Sequence, residues 1–175
     1  MTTALSQIFR ESFYSRYRTE LIGGAEEPLY QPALDAGGEH CIYYRQDFFA
    51  SALHEVAHWC IAGPERRLRV DYGYWYAADG RDESQQRNFE KVEIKPQALE
   101  WHFALASEHP FRVSNDNLSL QPDTSGSFVS AVCEQAREYV LAGLPPRAQR
   151  FRDALAVTFG GDSAPGAESF TGEGL

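Results

Sequence analysis

Cysteine is scarce in this sequence of 175 residues, which contains only Cys41, Cys60 and Cys133. An odd number of cysteines without a short repeated spacing argues against a disulfide framework. The sequence also contains no CxxC zinc motif. Apolar runs are short too. None approaches the roughly 18–20 residues of a membrane span, and the charged N-terminal stretch is unlike a signal peptide. We therefore expect a cytoplasmic protein with no membrane partner.

Positive charge is in deficit, because 16 Lys and Arg residues stand against 25 Asp and Glu residues, a net charge of −9. A protein that holds nucleic acid through its overall field is basic, so we expect no nucleic-acid partner. The phosphate-binding strings GxGxxG and GxxxxGK[ST] are absent, and so is the GxSxG elbow of serine hydrolases. Apolar residues (43%) and aromatic residues (13%) are plentiful, which is enough for a packed core.

Apolar residues recur at helical spacing in five segments, at residues 3–17, 47–62, 84–107, 128–142 and 148–159. The second segment has one apolar stripe, formed by Phe49, Leu53, Val56 and Cys60. It also has the clearest end, because Gly63 can adopt the left-handed cap conformation and Pro64 cannot continue a helix.

Pro96 lies inside the third segment. The apolar seam of that segment, which consists of Phe89, Val92, Pro96, Leu99 and Phe103, crosses Pro96 without losing phase. This favours one kinked helix over two separate helices.

Short extended segments are predicted at Tyr30, Cys41–Tyr44 and Val70–Tyr76, where aromatic and β-branched residues cluster. Together with the helices they indicate an α+β fold. We expect residues 1–160 to form a compact single domain in which the helices pack on a small β-sheet. Residues 161–175, GDSAPGAESFTGEGL, have the composition of a disordered C-terminal tail.

The string from His54 to His58, HEVAH, is an HExxH motif in the middle of the second predicted helix. Residues i and i+4 lie about 5–6 Å apart on one helix face, so both imidazoles can bind one metal ion beside Glu55. The flanking residues are small and apolar, as a buried helix requires. Burying two histidines and a glutamate without partners is costly, which favours a metal site over histidines satisfied by hydrogen bonds alone.

A third protein ligand is expected from the helix that contains Pro96, because two histidines leave a coordination sphere open. Glu93 and Glu100 are candidates, since residues seven apart share a helix face. Spacing favours Glu93 modestly, because its apolar neighbours Val92 and Ile94 would draw it inward. Glu100 stays open as the alternative ligand.

Two histidines and a carboxylate do not identify their metal. The same set holds zinc in many peptidases and Fe(II) in non-haem oxygenases. With zinc, Glu55 would be the general base for a bound water, whereas with iron it would orient ligands or contact the substrate. The motif alone favours a small zinc-dependent peptidase. A non-catalytic protein with a structural metal would need a fourth ligand, and none has compelling spacing.

Longer strings carry a family resemblance. SALHEVAHWCIAGPERR, VDYGYWYAADGR and QQRNFEKVEIKPQALEWHFALA, with PFRVSNDNL and LAGLPPRAQRF, resemble the elongation factor P hydroxylase family over roughly residues 5–160. The resemblance implies a protein-lysine hydroxylase that uses O₂ and acts on the β-lysylated lysine of translation elongation factor P. It also implies a 2-His-1-carboxylate site of His54, His58 and Glu93 for Fe(II), with zinc or another divalent metal as the alternative occupant.

The chain lacks the HxD…H arrangement of 2-oxoglutarate-dependent oxygenases, so the resemblance carries no 2-oxoglutarate requirement. The implied target is a long cationic side chain, which carboxylates and aromatic faces attract; a cation–aromatic contact contributes about 0.5–2 kcal/mol. The carboxylates expected to bind its ammonium groups are Asp71, Asp79 and Glu100. The aromatic residues expected to line its channel are Tyr72, Tyr74, Trp75 and Tyr76.

Overall fold

The computed structural model describes residues 2–71, 83–114 and 126–172. Its helices and strands, in chain order, are α1 (Thr2–Tyr17), β1 (Thr19–Ala25), β2 (Leu29–Gln31), β3 (His40–Arg45), α2 (Phe49–Ile61), α3 (Glu83–Ala106), α4 (Gly126–Ala142) and α5 (Pro146–Phe159). Short 3-10 turns follow α2 and α5, at Arg66–Leu68 and Ala167–Ser169. The predicted α+β fold is confirmed. Each predicted helix agrees with an observed one to within two residues at either end.

The sheet has β3 at its centre, parallel to β1 and antiparallel to β2. The strands predicted at Tyr30 and Cys41–Tyr44 are confirmed, but β1 was not predicted. Its Gly-Gly pair indicated a break, whereas the strand accommodates Gly24 (φ 87°) where its register with β3 shifts. Of the segment predicted at Val70–Tyr76, Asp71 forms an isolated bridge with Tyr30, and residues 72–76 lie outside the described residues.

Helix α2 is enclosed by α1, α3, α5 and the sheet. The predicted apolar stripe of Phe49, Leu53, Val56 and Cys60 is confirmed, since every member is at most 7% exposed. On another face of α2, Trp59 packs its indole ring into an aromatic cluster that includes Phe9 and Phe13 of α1, with ring centroids 5.1 and 4.9 Å away. The helix that carries the HExxH motif is therefore fixed on several sides.

The C-terminus of α2 is capped by arginine side chains. The predicted left-handed cap at Gly63 is wrong, because the chain leaves the helix at Ala62 in an extended conformation (φ −62°, ψ 124°). The Arg147 guanidinium donates hydrogen bonds to the carbonyls of Cys60 (3.0 Å) and Ala62 (2.6 Å), and Arg67 donates to Ala62 as well (2.7 Å). These cations satisfy carbonyls that the helix leaves unpaired.

Helix α3 continues through Pro96, as predicted, instead of dividing into two helices. Four members of its predicted seam, Phe89, Pro96, Leu99 and Phe103, are buried. The fifth, Val92, is 59% exposed, so its assignment to the seam is wrong. No helix among the described residues is long and apolar enough to cross a membrane.

The C-terminal segment packs against the helices up to Gly172, so the predicted disorder of residues 161–175 is wrong there. Phe170 is fully buried, with its ring 5.0 Å from Trp101 and 4.4 Å from His102. The Asp162 backbone N–H also donates to the carbonyl of Leu105 (3.0 Å). The composition of this segment predicted disorder because Phe170 is its only aromatic residue, and one aromatic residue is a weak indication of packing. Residues 173–175 lie outside the described residues.

We expect Phe170→Ala to lower the free energy of unfolding by about 3–5 kcal/mol, the usual range for removing a fully buried phenylalanine. Phe48→Ala is the matched control, because Phe48 is 54% exposed and its loss should cost less than about 1 kcal/mol. Urea denaturation followed by circular dichroism measures both. Equal stability of the two variants would contradict the observed packing of the tail.

Candidate metal centre

Three side chains from two packed helices meet at one point. His54 and His58 lie one turn apart on α2, and Glu93 of α3 faces both of them. The two Nε2 atoms are 3.1 Å apart, and the Glu93 oxygens lie 3.4 Å from His54 Nε2 and 3.2 Å from His58 Nε2. Ligand atoms about 2.1 Å from one ion are about 3.0–3.4 Å apart at octahedral to tetrahedral angles. These residues could therefore bind one metal ion.

Glu93 is the least exposed member of the group, with 1% of its side chain accessible. No hydrogen bond of good geometry reaches its oxygens from the described residues, and its nearest neighbours are the two imidazoles and the amide of Gln97. A buried carboxylate with so few well-aligned donors is costly unless a cation compensates it. Its surroundings thus suit a metal ligand.

Glu100 lies on the same face of α3 as Glu93, two turns further along the helix. Its Oε2 atom accepts a hydrogen bond from Nδ1 of His54 at 2.8 Å. This contact fixes the imidazole ring and leaves Nε2 facing Glu93 and His58. Carboxylates that hold the outer nitrogen of a metal-binding histidine orient the ring and increase its basicity. Glu100 was predicted as an alternative ligand and as a substrate-binding residue, and the structure places it behind His54.

In the metal-free site the carboxylates around His54 favour its protonated, positively charged form. Burial lowers the pKa of His54, but the hydrogen bond and charge of Glu100, with the charges of Glu93 and Glu55, raise it to about 10. Burial likewise raises the pKa of Glu93, yet the charges of His58 and His54 outweigh it and bring it to about 2. The site is therefore built to hold positive charge.

Glu55 lines a pocket that adjoins the ligand group. This pocket is bounded by α2, the sheet and the segment around Asp71, and His58 forms part of its wall. Only 8% of Glu55 is exposed, and burial raises its pKa, against the opposing charges of His54 and His58. The carboxylate predicted as catalytic thus lies beside the ligands and faces a cavity.

The other predicted substrate residues divide into two groups. Asp71 lies on the pocket wall and forms an ion pair with Arg66. The remaining predictions, Tyr72, Tyr74, Trp75, Tyr76 and Asp79, lie outside the described residues.

Gln97 is a site residue to which the sequence assigned no role. It is 2% exposed, and its amide group both donates to the Ser114 carbonyl (2.6 Å) and accepts from the Ser114 N–H (3.0 Å). It thereby ties the segment after α3 to the face that carries Glu93. Its position between Glu93 and Glu100 on one helix face was the available signal.

Comparison with known proteins identifies the family of the chain that carries this site. Residues 8–170 match the family EpmC, described as elongation factor P hydroxylase. The chain belongs to the elongation factor P hydroxylase family. A relative from Haemophilus influenzae (strain ATCC 51907 / DSM 11121 / KW20 / Rd), named elongation factor P lysine hydroxylase, is 48% identical over 152 residues. That alignment covers 87% of this chain and 85% of the relative. The predicted resemblance is confirmed, and membership of the elongation factor P hydroxylase family makes this chain an enzyme.

In this member of the elongation factor P hydroxylase family, loss of the Glu100 carboxylate should weaken metal binding without removing a ligand. We expect Glu100→Ala to raise the dissociation constant for Fe(II) or Zn(II) by about 10–100-fold, the usual effect of deleting such a partner. Glu100→Gln, which keeps an acceptor but not the charge, should fall between Glu100→Ala and the wild type. Competition with a chromophoric chelator gives the constants.

Glu90→Gln is the control for Glu100. Glu90 lies on the same helix, but it accepts a hydrogen bond from Gln86, whereas Glu100 accepts one from the metal-ligand candidate His54. It should bind metal as the wild type does. If Glu100→Ala also binds metal with unchanged affinity, the hydrogen bond to His54 is not an orienting contact.

Metal binding by the elongation factor P hydroxylase site should release about one proton at pH 7, because the pKa of His54 is near 10 and a ligating imidazole must be neutral at Nε2. The affinity should accordingly rise up to about tenfold per pH unit between pH 7 and 9. Calorimetry in buffers of different ionisation enthalpy counts the protons. A heat of binding independent of the buffer would contradict a protonated His54.

Proposed function

We propose that this enzyme hydroxylates the β-lysylated lysine of translation elongation factor P, with Fe(II) held by His54, His58 and Glu93 and with O₂ as co-substrate. The observation that carries the proposal is the triad of two partly buried histidines and one buried carboxylate in a chain that matches the hydroxylase family over residues 8–170. Two histidines and one carboxylate are the ligand set of non-haem Fe(II) oxygenases. Fe(II) bound there would supply O₂ activation for insertion of one oxygen atom into a C–H bond, with the other oxygen atom reduced to water by two electrons from an external reductant.

Open coordination is the main support for catalysis over a structural role. The group that could hold a metal contains three residues within the described part of the chain, and Glu100 is committed to the outer nitrogen of His54. A structural site is closed by four protein ligands, whereas a catalytic site leaves positions for substrate or water. The triad therefore supports the hydroxylase over a non-catalytic metal protein.

The residues of the chain have separate tasks in this proposal. His54, His58 and Glu93 bind the metal, and Glu100 holds His54 in the tautomer that presents Nε2. The pocket shares His58 with the triad and is otherwise lined by residues of α2, the sheet and the segment after α2, so a lysyl side chain could enter there.

The decisive experiment separates hydroxylation from the alternative, peptide hydrolysis by a zinc enzyme of the HExxH…E type. Metal-free protein is loaded with Fe(II) or Zn(II) in parallel and incubated with lysylated elongation factor P, O₂ and a chemical reductant. We expect a mass gain of one oxygen atom with Fe(II), and none with Zn(II) or with unlysylated factor. Peptide cleavage with Zn(II) and no oxygen gain with Fe(II) would overturn the proposal.

Removing one ligand should abolish activity and leave the fold intact. We expect Glu93→Ala to reduce hydroxylation at least 100-fold and to bind metal poorly, because two ligands seldom retain a catalytic ion. Glu134→Ala, an exposed substitution on α4, is the matched control and should behave as the wild type. Intact-protein mass spectrometry of the product and far-ultraviolet circular dichroism of the variants measure the two effects. Wild-type metal content in Glu93→Ala would show that another residue is the ligand.

A further inference from the structure

A carboxylate inside the pocket beside the metal centre has no partner in the described part of the chain. Glu55 is 8% exposed and lines this pocket together with His58, Trp59 and Asp71. No hydrogen bond to its oxygens and no ion pair within 4 Å is formed by the described residues. An ionised carboxylate in such a position is stabilised when a cation binds next to it.

The other nearby carboxylates are already committed. Glu93 faces the two ligand imidazoles, Glu100 accepts from Nδ1 of His54, and Asp71 is paired with Arg66. Arg66 balances the charge of Asp71 at the pocket wall. Arg67 also lines the pocket, but its guanidinium donates to the Ala62 carbonyl (2.7 Å) and so faces the negative end of α2. Among the described residues of the pocket, Glu55 is therefore the carboxylate whose charge remains for a ligand. This assignment differs from the expectation that Asp71 and Glu100 bind the ammonium groups of the substrate.

The remaining walls suit the aliphatic part of a long cationic side chain. Ile42 of β3, Trp59 of α2 and Ala62 at the end of α2 line the pocket with apolar surface. The hydroxyl of Tyr30 already donates to the carbonyl of Arg67 at 2.9 Å. Methylene groups can therefore pack on Ile42 and Trp59 while an ammonium group reaches the carboxylate.

We propose that Glu55 binds the ammonium group of the lysyl substrate and so positions the target chain beside the metal, a role that rests on the proposed hydroxylase function. As the neighbour of His54 in sequence, Glu55 sets the distance between the bound cation and the metal ligands through the rigid helix α2. In a zinc peptidase the same residue would instead activate water, which affects turnover more than substrate affinity. The two roles therefore separate in binding and rate measurements.

The test measures equilibrium binding of lysylated elongation factor P to the Fe(II)-loaded full chain under nitrogen, where no turnover occurs. We expect Glu55→Gln to raise the dissociation constant at least about tenfold, as the loss of a charge-assisted hydrogen bond does. The fold-loss in kcat/KM should exceed the fold-loss in kcat at saturating substrate and O₂, because the carboxylate acts through substrate binding. Glu55→Asp, which keeps the charge on a shorter side chain, should recover part of the affinity.

Glu65→Gln is the matched control, because it removes the same charge from an exposed position just beyond α2 and should leave affinity unchanged. Metal content of every variant is measured to show that the site is intact. Wild-type affinity in Glu55→Gln with a collapse of turnover would overturn this assignment and leave the hydroxylase function standing. If the wild type neither binds nor oxidises the lysylated factor, both proposals fall.

Discussion

The contact between the Glu93 carboxylate and two imidazoles is the interaction on which the site depends. Glu93 is 1% exposed, and a charge so deeply buried is tolerated only with compensating charge beside it. In the metal-free protein His54, whose pKa is raised to about 10 chiefly by Glu100, supplies that charge through a proton, and a cation shared with His58 would supply it when metal binds. The packing of α2 on α3 is therefore also an electrostatic pairing.

A rigid frame keeps this pairing in place. The HExxH helix is packed into the aromatic cluster through Trp59, and its last carbonyls are held by Arg147 from α5 and Arg67 from the following turn. Movement of α2 along its axis would break these contacts as well as the contact between His58 and Glu93. Arg147 and Arg67 are thus structural cations at the end of a helix.

Local patterns predicted the helices and the histidine pair because both depend on spacing within one segment. The HExxH motif fixes His54 and His58 on one face whatever surrounds them. Contacts between distant parts of the chain were harder to predict from the sequence. Strand β1 was missed because Gly23-Gly24 resembles a turn, although β1 pairs with β3. The cap at Gly63 was wrong because Arg147, distant in sequence, binds the carbonyls at the end of α2. Tertiary contacts replaced the local signal in both places.

Glu93 illustrates how spacing can favour a residue for an incorrect reason. Val92 and Ile94 were expected to draw it inward, yet Val92 is 59% exposed and faces solvent. Glu93 is buried because it lies on the face of α3 that includes Phe89, Gln97 and Glu100, which packs against α2.

The three glutamates near the histidines are distinguished by the atoms that they face, and their residue type alone carries no such information. Glu93 faces both Nε2 atoms, Glu100 faces the outer nitrogen of His54, and Glu55 faces the pocket. A peptidase and an oxygenase can share the first two arrangements, because both need an oriented ligand set with open positions. Besides the metal, their chemistry at this site would differ in whether the third carboxylate contacts a water or a cationic side chain.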